Sequence, residues 1–299
     1  MPSFPSENIE SCKLGIIGFR CDDNSSYMRG VADAPPLIRE AFLAEFSNLC
    51  SETGRNLEQP HIFFDANDVF PVPDKEMTAA MIEESVFFLL SHNLRPISLG
   101  GDHSVTYPII RALSKKHPNL SVLDFDAHPD LYDEFGGNKY SHASTWARVM
   151  EEGLVDRLVQ VGIRTANGHQ REQATRFGVE TYEMKDCRDT WELEFDSPVY
   201  LSLDLDALDP TYAPGVSHRE PGGLSTREVI NLIHKVNQPI AGADIVEFNP
   251  RMDWHGITAT VCGKLLKEIS GKMLDNSCST KTHTIADIAN LTDINRVAK

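Results

Sequence analysis

The sequence predicts an α/β protein of three layers, αβα, with a largely parallel sheet and helices on both faces. Three observations predict it. Short apolar runs of strand length alternate with longer segments of helical period along most of the chain. No Pro/Gly/Ser-rich linker or internal repeat divides that alternation. Clusters of carboxylate and imidazole follow three of the apolar runs directly, which is where open α/β sheets bind ligands, beyond the carboxyl ends of their strands. A chain of 299 residues suits one large domain, read here as residues 1–276. Residues 277–299 are polar and Thr/Ser-rich, and the expectation is a flexible tail, with Ile285–Leu291 as the one stretch able to pack.

Taken in order, the first strand is Leu14–Phe19, a short apolar run, and Pro36–Phe46 follows as a helix. His61–Phe64 is the second strand. Met77–Ser91 is a helix because Ala80, Ile82, Val86, Phe87, Leu89 and Leu90 fall near one face, a helical and not an alternating period. Pro96–Leu99 and Ser121–Phe125 are strands on either side of a helix at Tyr107–Lys116. Leu131–Tyr140 has little periodicity and reads as a loop crossing the top of a site. Ala143–Glu152 is helical, Leu158–Gly162 and Val199–Leu203 are strands, and Thr226–Val236 is a helix with Ser225 or Thr226 as its cap. Ile240–Val246 and Ile257–Leu274 complete the series as strand and helix.

The three clusters are Gly100-Gly101-Asp102-His103-Ser104, then Asp126-Ala127-His128-Pro129-Asp130, then Asp204-Leu205-Asp206-Ala207-Leu208-Asp209-Pro210. In extended backbone, residues i, i+2 and i+4 share a face, so Asp126, His128 and Asp130 converge if strand geometry continues through Pro129, as do Asp204 and Asp206. One such cluster alone is ordinarily a turn or a helix cap. Three together, each after a buried-looking strand, point to metal, because a buried unpaired carboxylate costs several kcal/mol. The candidate ligands are His103, Asp126, His128, Asp130, Asp204 and Asp206. Four Asp and two His suit hard or borderline divalent ions, and the absence of Cys argues against a structural zinc site. Four carboxylates balance two divalent cations, so a binuclear centre is the natural reading, and such ions lower the pKa of water from ~15.7 towards ~7.

With Ser202-Leu203-Asp204-Leu205-Asp206-Ala207-Leu208-Asp209-Pro210, Ala213-Pro214-Gly215 and Glu220-Pro221-Gly222-Gly223-Leu224 added, the chain resembles the ureohydrolases, the family of arginase, agmatinase and guanidinobutyrase. The resemblance runs from about Lys13 to about Leu274. Within the family it is similar to plant-type arginases, through Asn24-Ser25-Ser26, Ala34-Pro35-Pro36, Gly137-Asn138-Lys139-Tyr140-Ser141-His142-Ala143-Ser144 and Gly215-Val216-Ser217-His218. It implies the arginase/deacetylase-like fold and a hydrolase that splits a guanidino group into urea and an amine. It implies His103 and Asp130 on one ion, His128 and Asp206 on the other, and Asp126 and Asp204 bridging. Asp102 then reads as a partner orienting His103, and Asp209 as a turn-former. Glu247 would pair with the guanidinium, a plane and charge that a carboxylate matches, with Asp244 as its structural rival. His142 would shuttle protons, a task its near-neutral pKa suits. His218 is a further candidate for the pocket wall.

The substrate stays open at this level. L-Arginine is favoured by the plant-type likeness, while agmatine and other guanidino compounds such as guanidinobutyrate or guanidine remain alternatives. Asn138, Ser141 and Lys139 are candidates for reading an α-carboxylate. The family default is two Mn2+ per chain, with Ni2+ in some relatives, and its members are homo-trimers or homo-hexamers. A single-zinc deacetylase or a non-catalytic relative would not need all of these ligands.

A net charge of −16 argues against nucleic acid and anionic membranes as partners. No apolar stretch reaches the ~18 residues of a transmembrane helix. Cys12, Cys21, Cys50, Cys187, Cys262 and Cys278 are scattered without a CxxC pair and read as free thiols of a reducing compartment. Met1-Pro2-Ser3-Phe4-Pro5 lacks the basic and apolar regions of a secretory signal, so the expected location is the cytoplasm.

Overall fold

In the computed structural model, which describes residues 8–186 and 191–275, eight strands form one parallel sheet. They are β1 (Leu14–Phe19), β2 (Phe63–Val69), β3 (Arg95–Leu99), β4 (Ser121–Phe125), β5 (Arg157–Ile163), β6 (Glu180–Glu183), β7 (Val199–Asp204) and β8 (Ile240–Val246). Their order across the sheet is β2-β1-β3-β8-β7-β4-β5-β6. The helices are α1 (Ala34–Phe42), α2 (Lys75–Ser91), α3 (Thr106–Ser114), α4 (Thr145–Glu151), α5 (Gly168–Phe177), α6 (Thr226–Lys235) and α7 (Ile257–Asp275).

The three-layer expectation holds because the inner strands are apolar on both faces. Every residue of β1, β4, β7 and β8 is buried, the pattern of parallel strands covered twice. One core carries Ile38 and Phe42 of α1, Val229 and Ile233 of α6, and Leu265, Leu266 and Ile269 of α7. The other carries Ile82, Val86 and Leu89 of α2, Ile109 and Leu113 of α3, and Trp146 and Val149 of α4. Ser225 begins α6 as expected, its side chain accepting from the Glu228 N–H while Glu228 reaches back to the cap.

The differences lie at the sheet edges. The sequence reading missed β6 and α5. The β6 segment Glu-Thr-Tyr-Glu is only partly buried at the edge of the sheet, and α5 is polar on nearly every face, so neither has the apolar period that reveals an element. The second strand runs to Val69, past the predicted Phe64, through Asp65, Asn67 and Asp68. Those carboxylates are held from outside the strand: Arg39 of α1 meets Asp65 at 2.9 Å and Asp68 at 2.6 Å. The predicted tail at 277–299 lies outside the described residues.

Four adjacent central strands, β3, β8, β7 and β4, deliver the clusters to one edge of the sheet. The crossing after β3 depends on Gly101. A Cβ there would stand 1.8 Å from the Cys21 carbonyl oxygen, which also accepts from the Asp102 N–H at 2.9 Å. Gly101→Ala is therefore expected to cost roughly 3 kcal/mol, through backbone displacement that no rotamer relieves. A thermal melt within a degree of wild type would show that the Cys21 loop can move aside.

Candidate metal centre

The site is built from strand ends. Asp126 follows β4, and its two oxygens face different neighbours. Oδ2 lies 3.3 Å from His103 Nδ1, while Oδ1 lies 3.5 Å from His128 Nδ1. On the first side, His103 Nδ1 also stands 3.1 Å from Asp130 Oδ2 and 3.3 Å from Asp204 Oδ2. On the second, His128 Nδ1 is 3.0 Å from Asp206 Oδ2. His103, Asp126 and Asp130 form one group of ligand atoms within 4.8 Å of one another, and Asp126, His128 and Asp206 form another, sharing Asp126.

All six predicted ligands are thus brought together, though not by a continued strand. β4 stops at Phe125, and Asp130 reaches back by adopting φ +48°. Asp204 meets the His103 side; its Oδ1 accepts from the Asp206 N–H at 2.8 Å. Arg164 fixes the loop after β7, donating to the carbonyls of Asp206 at 2.6 Å and Ala207 at 3.2 Å and to that of Glu220 at 2.6 Å.

The residues fit divalent cations. His103 Nδ1 and Asp126 Oδ2 are buried without a hydrogen-bond partner, although carboxylates surround the ring nitrogen. Burial first, then the charges of Asp130 and Asp206, lift the Asp126 carboxyl to about 6. Burial, then Asp206 and Asp126, push Asp204 well above the ordinary range. Crowded carboxylates that oppose each other's ionisation are relieved by a cation between them.

Sequence reading assigned one support wrongly. Asp102 does not touch the His103 ring. It ties its own loop to the segment after β1 instead, accepting from the backbone N–H groups of Asn24 at 3.0 Å and Ser104 at 3.1 Å and from the Ser25 hydroxyl at 3.3 Å. His103 Nε2 meets Ser202 Oγ at 3.1 Å, and Ser202 donates to Asp244 Oδ1 at 2.8 Å. Asp244 also accepts from Thr106 and Tyr200, each at 2.7 Å, which makes it a network residue. Asp124 was missed although it keeps the i, i+2 register of Asp126. Its Oδ1 is 3.8 Å from His103 Nε2, and Gln160 donates to its other oxygen at 2.9 Å. Asp209 is a turn-former, accepting from the Thr211 and Gly222 N–H groups at 2.9 and 2.6 Å.

Glu247 follows β8 in left-handed backbone, φ +61°, a conformation that costs a non-glycine residue about 1 kcal/mol or more. Its Oε1 accepts from the His103 N–H at 2.9 Å and lies 2.8 Å from His142 Nδ1. On the far side of the ring, His142 Nε2 accepts from the Ser26 N–H at 3.1 Å and meets its hydroxyl at 2.8 Å. A backbone N–H can only donate, so this geometry places the proton of neutral His142 on Nδ1. Burial alone would lower the imidazole's pKa; the Glu247 carboxylate, joined by Asp130 and Asp102, outweighs it and raises His142 to about 9. The Ser26 N–H acts in the opposite direction, since it loses its acceptor when Nε2 is protonated. Ser26 was legible only as part of a resemblance, and its contact with His142 spans 116 residues.

His218 does join the wall, its ring centroid 5.2 Å from that of His142 and 5.9 Å from that of His128. Asn138 and Ser141 have other partners. Asn138 donates to Asn24 Oδ1 at 2.9 Å, and Ser141 Oγ accepts from the Ala143 N–H at 3.3 Å, capping the single-turn helix His142–Ser144. The loop around Asn138 folds into a tight turn, with Phe135 and Asn138 exchanging backbone hydrogen bonds across Gly136 and Gly137, both at positive φ.

The sequence model of the arginase family matches residues 12–271. The chain belongs to the arginase family. It is a hydrolase of that family, whose members work with a binuclear metal centre on small guanidino compounds, and the deacetylase alternative falls away. It is 46% identical over 275 residues to "Arginase 1, mitochondrial" of Arabidopsis thaliana, covering 86% of this chain and 80% of that one. An agmatinase of Bacillus cereus is 32% identical over 277 residues, covering 90% and 92%. Among solved structures, an arginase from Medicago truncatula superposes with a TM-score of 0.83 at 43% identity, covering 88% of each chain.

The expected cytoplasmic location is corrected by these relatives. The Arabidopsis protein is named mitochondrial, which points to an organelle. Cys21, Cys50 and Cys262 are free thiols, as expected, while Cys187 and Cys278 lie outside the described residues; reduced thiols and acidic charge do not distinguish one reducing aqueous compartment from another. No helix among the described residues is long and apolar enough to cross a membrane.

Proposed function

We propose that the chain hydrolyses L-arginine to L-ornithine and urea, with His103, Asp126, His128, Asp130, Asp204 and Asp206 holding two manganese ions. The observation that carries the substrate is the gradient of similarity, 46% to a plant arginase against 32% to an agmatinase. For the metal centre it is Asp126, whose oxygens face the two ligand groups separately. Asp204 is assigned as the second bridge on the family likeness.

Bound there, two divalent cations would supply Lewis acidity that makes water nucleophilic near neutral pH. The protein groups then do the positioning. Glu247 takes the guanidinium through the carboxylate oxygen not engaged by His103 and His142, pairing with its charge. His142, held with Nδ1 towards Glu247, presents Nε2 as the atom that accepts and returns a proton, with the exposed Ser26 hydroxyl as its contact towards solvent. His218 forms an aromatic side of the mouth, its ring beside those of His128 and His142. A homo-trimer or homo-hexamer goes with this reading, as do Asn138 and Ser141 at the substrate loop, acting through Asn24 and the His142 helix.

Urea release should be measured with arginine, agmatine, guanidinobutyrate and guanidine on one preparation whose metal content is assayed. The expected result is a kcat/KM for arginine at least tenfold above the others, with manganese the ion that activates best. A preference for agmatine would overturn the arginine reading while leaving the metal centre standing.

A further inference from the structure

A cavity of about 290 Å³ adjoins the metal centre without belonging to it. Ser104, Ser141 and Thr145, chain neighbours of site residues, line it, but none of the six metal-ligand candidates does. Much of its wall is apolar, from Val72, Ile82, Val105 and Pro108. Two cations on that wall are engaged. Lys75 Nζ donates to the Asp23 carbonyl and to Asn24 Oδ1, and Arg111 lies 3.5 Å from Glu83.

Arg148 differs from both. It is 4% exposed, lines the cavity, and none of its three guanidinium nitrogens has a hydrogen-bond partner. Glu151 Oε2 stands 3.0 Å from Nη2 as an ion pair, but off the hydrogen-bonding direction. Buried donors left idle are costly. A guanidinium is the donor array whose fork matches a carboxylate. Glu76, Glu83 and Asp23 share the wall and oppose a dianion such as phosphate.

We propose that this cavity binds a small monocarboxylate with a compact apolar body, its carboxylate paired by Arg148 and its body against Ile82 and Val105. The site is independent of which guanidine the metal centre takes. Its occupancy would reach the substrate loop, because Asn24 on the cavity wall accepts from Asn138 at 2.9 Å and donates to Ser104 at 3.0 Å.

Isovalerate, with isovaleramide as its neutral counterpart, tests this on the full-length, metal-loaded protein by calorimetric titration. Saturable isovalerate binding is expected, at least tenfold tighter than the amide, and weakened at least tenfold in Arg148→Gln. Ala79→Leu fills the cavity from α2 without touching the metal centre and should abolish binding; it serves alone should Arg148→Gln fail to fold. Absence of saturable binding would overturn the site. So would binding that survives Ala79→Leu, which would put the carboxylate on the metals. A changed subunit number in Arg148→Gln would also overturn it, assigning the guanidinium to a partner subunit's carboxylate.

Discussion

Asp126→Ala is expected to leave no more than one tightly held metal ion per chain and to lower kcat by roughly 10⁴-fold or more. Asp126 is the one residue that both ligand groups share, and each of its oxygens faces a different histidine. Its removal uncouples the two sites and leaves His103 and His128 without their common carboxylate. A single ion no longer has a neighbour to share the charge of the attacking oxygen, which is where two-metal sites gain their rate. Asp130→Ala should be milder in its effect on the second ion, because Asp130 reaches only the His103 group. Metal analysis after extensive dialysis, paired with urea release, checks both. Two ions per chain and near-normal turnover in Asp126→Ala would remove it from the role of bridge.

Glu247→Gln is expected to keep the metals and lower kcat/KM by about 2–4 kcal/mol, a factor of roughly 30 to 10³. The amide oxygen can still accept from the His103 N–H and the His142 Nδ1–H, so the local structure survives. What disappears is the charge that pairs with a guanidinium. The same charge raises His142 to about 9 against the effect of burial, so in the variant the imidazole should protonate at lower pH. The sign follows from the causes: burial disfavours the imidazolium, and Glu247 is the largest of the carboxylates that oppose it, ahead of Asp130 and Asp102. An NMR titration of His142 in both proteins, at fixed metal loading, measures this directly. Loss of an ion from Glu247→Gln would instead make Glu247 a metal ligand.

How much of this was legible depends on where each signal resides. The inner strands and the helices covering them were readable because burial on one or two faces writes itself into the order of apolar residues. The ligand motifs were readable because carboxylates clustered at the ends of buried strands are too costly to keep there unless a cation pairs them. At the edges the signal failed: β6 is half-exposed and α5 is polar, so neither needed an apolar period to find its place.

The sequence by itself determined the chemistry available, the strand ends that carry it and the family to which the chain belongs. Only the tertiary structure decided which groups meet. It gave His103 to Ser202 and Asp244 and not to Asp102, set Ser26 against His142, placed Asp124 behind the centre, and left Arg148 facing a cavity with idle donors. The physical reason is range. Periodicity is a local property, read within a few turns or residues of one element, whereas these contacts join segments 99 and 116 residues apart. Their geometry exists only once strands distant in sequence have become neighbours in the sheet.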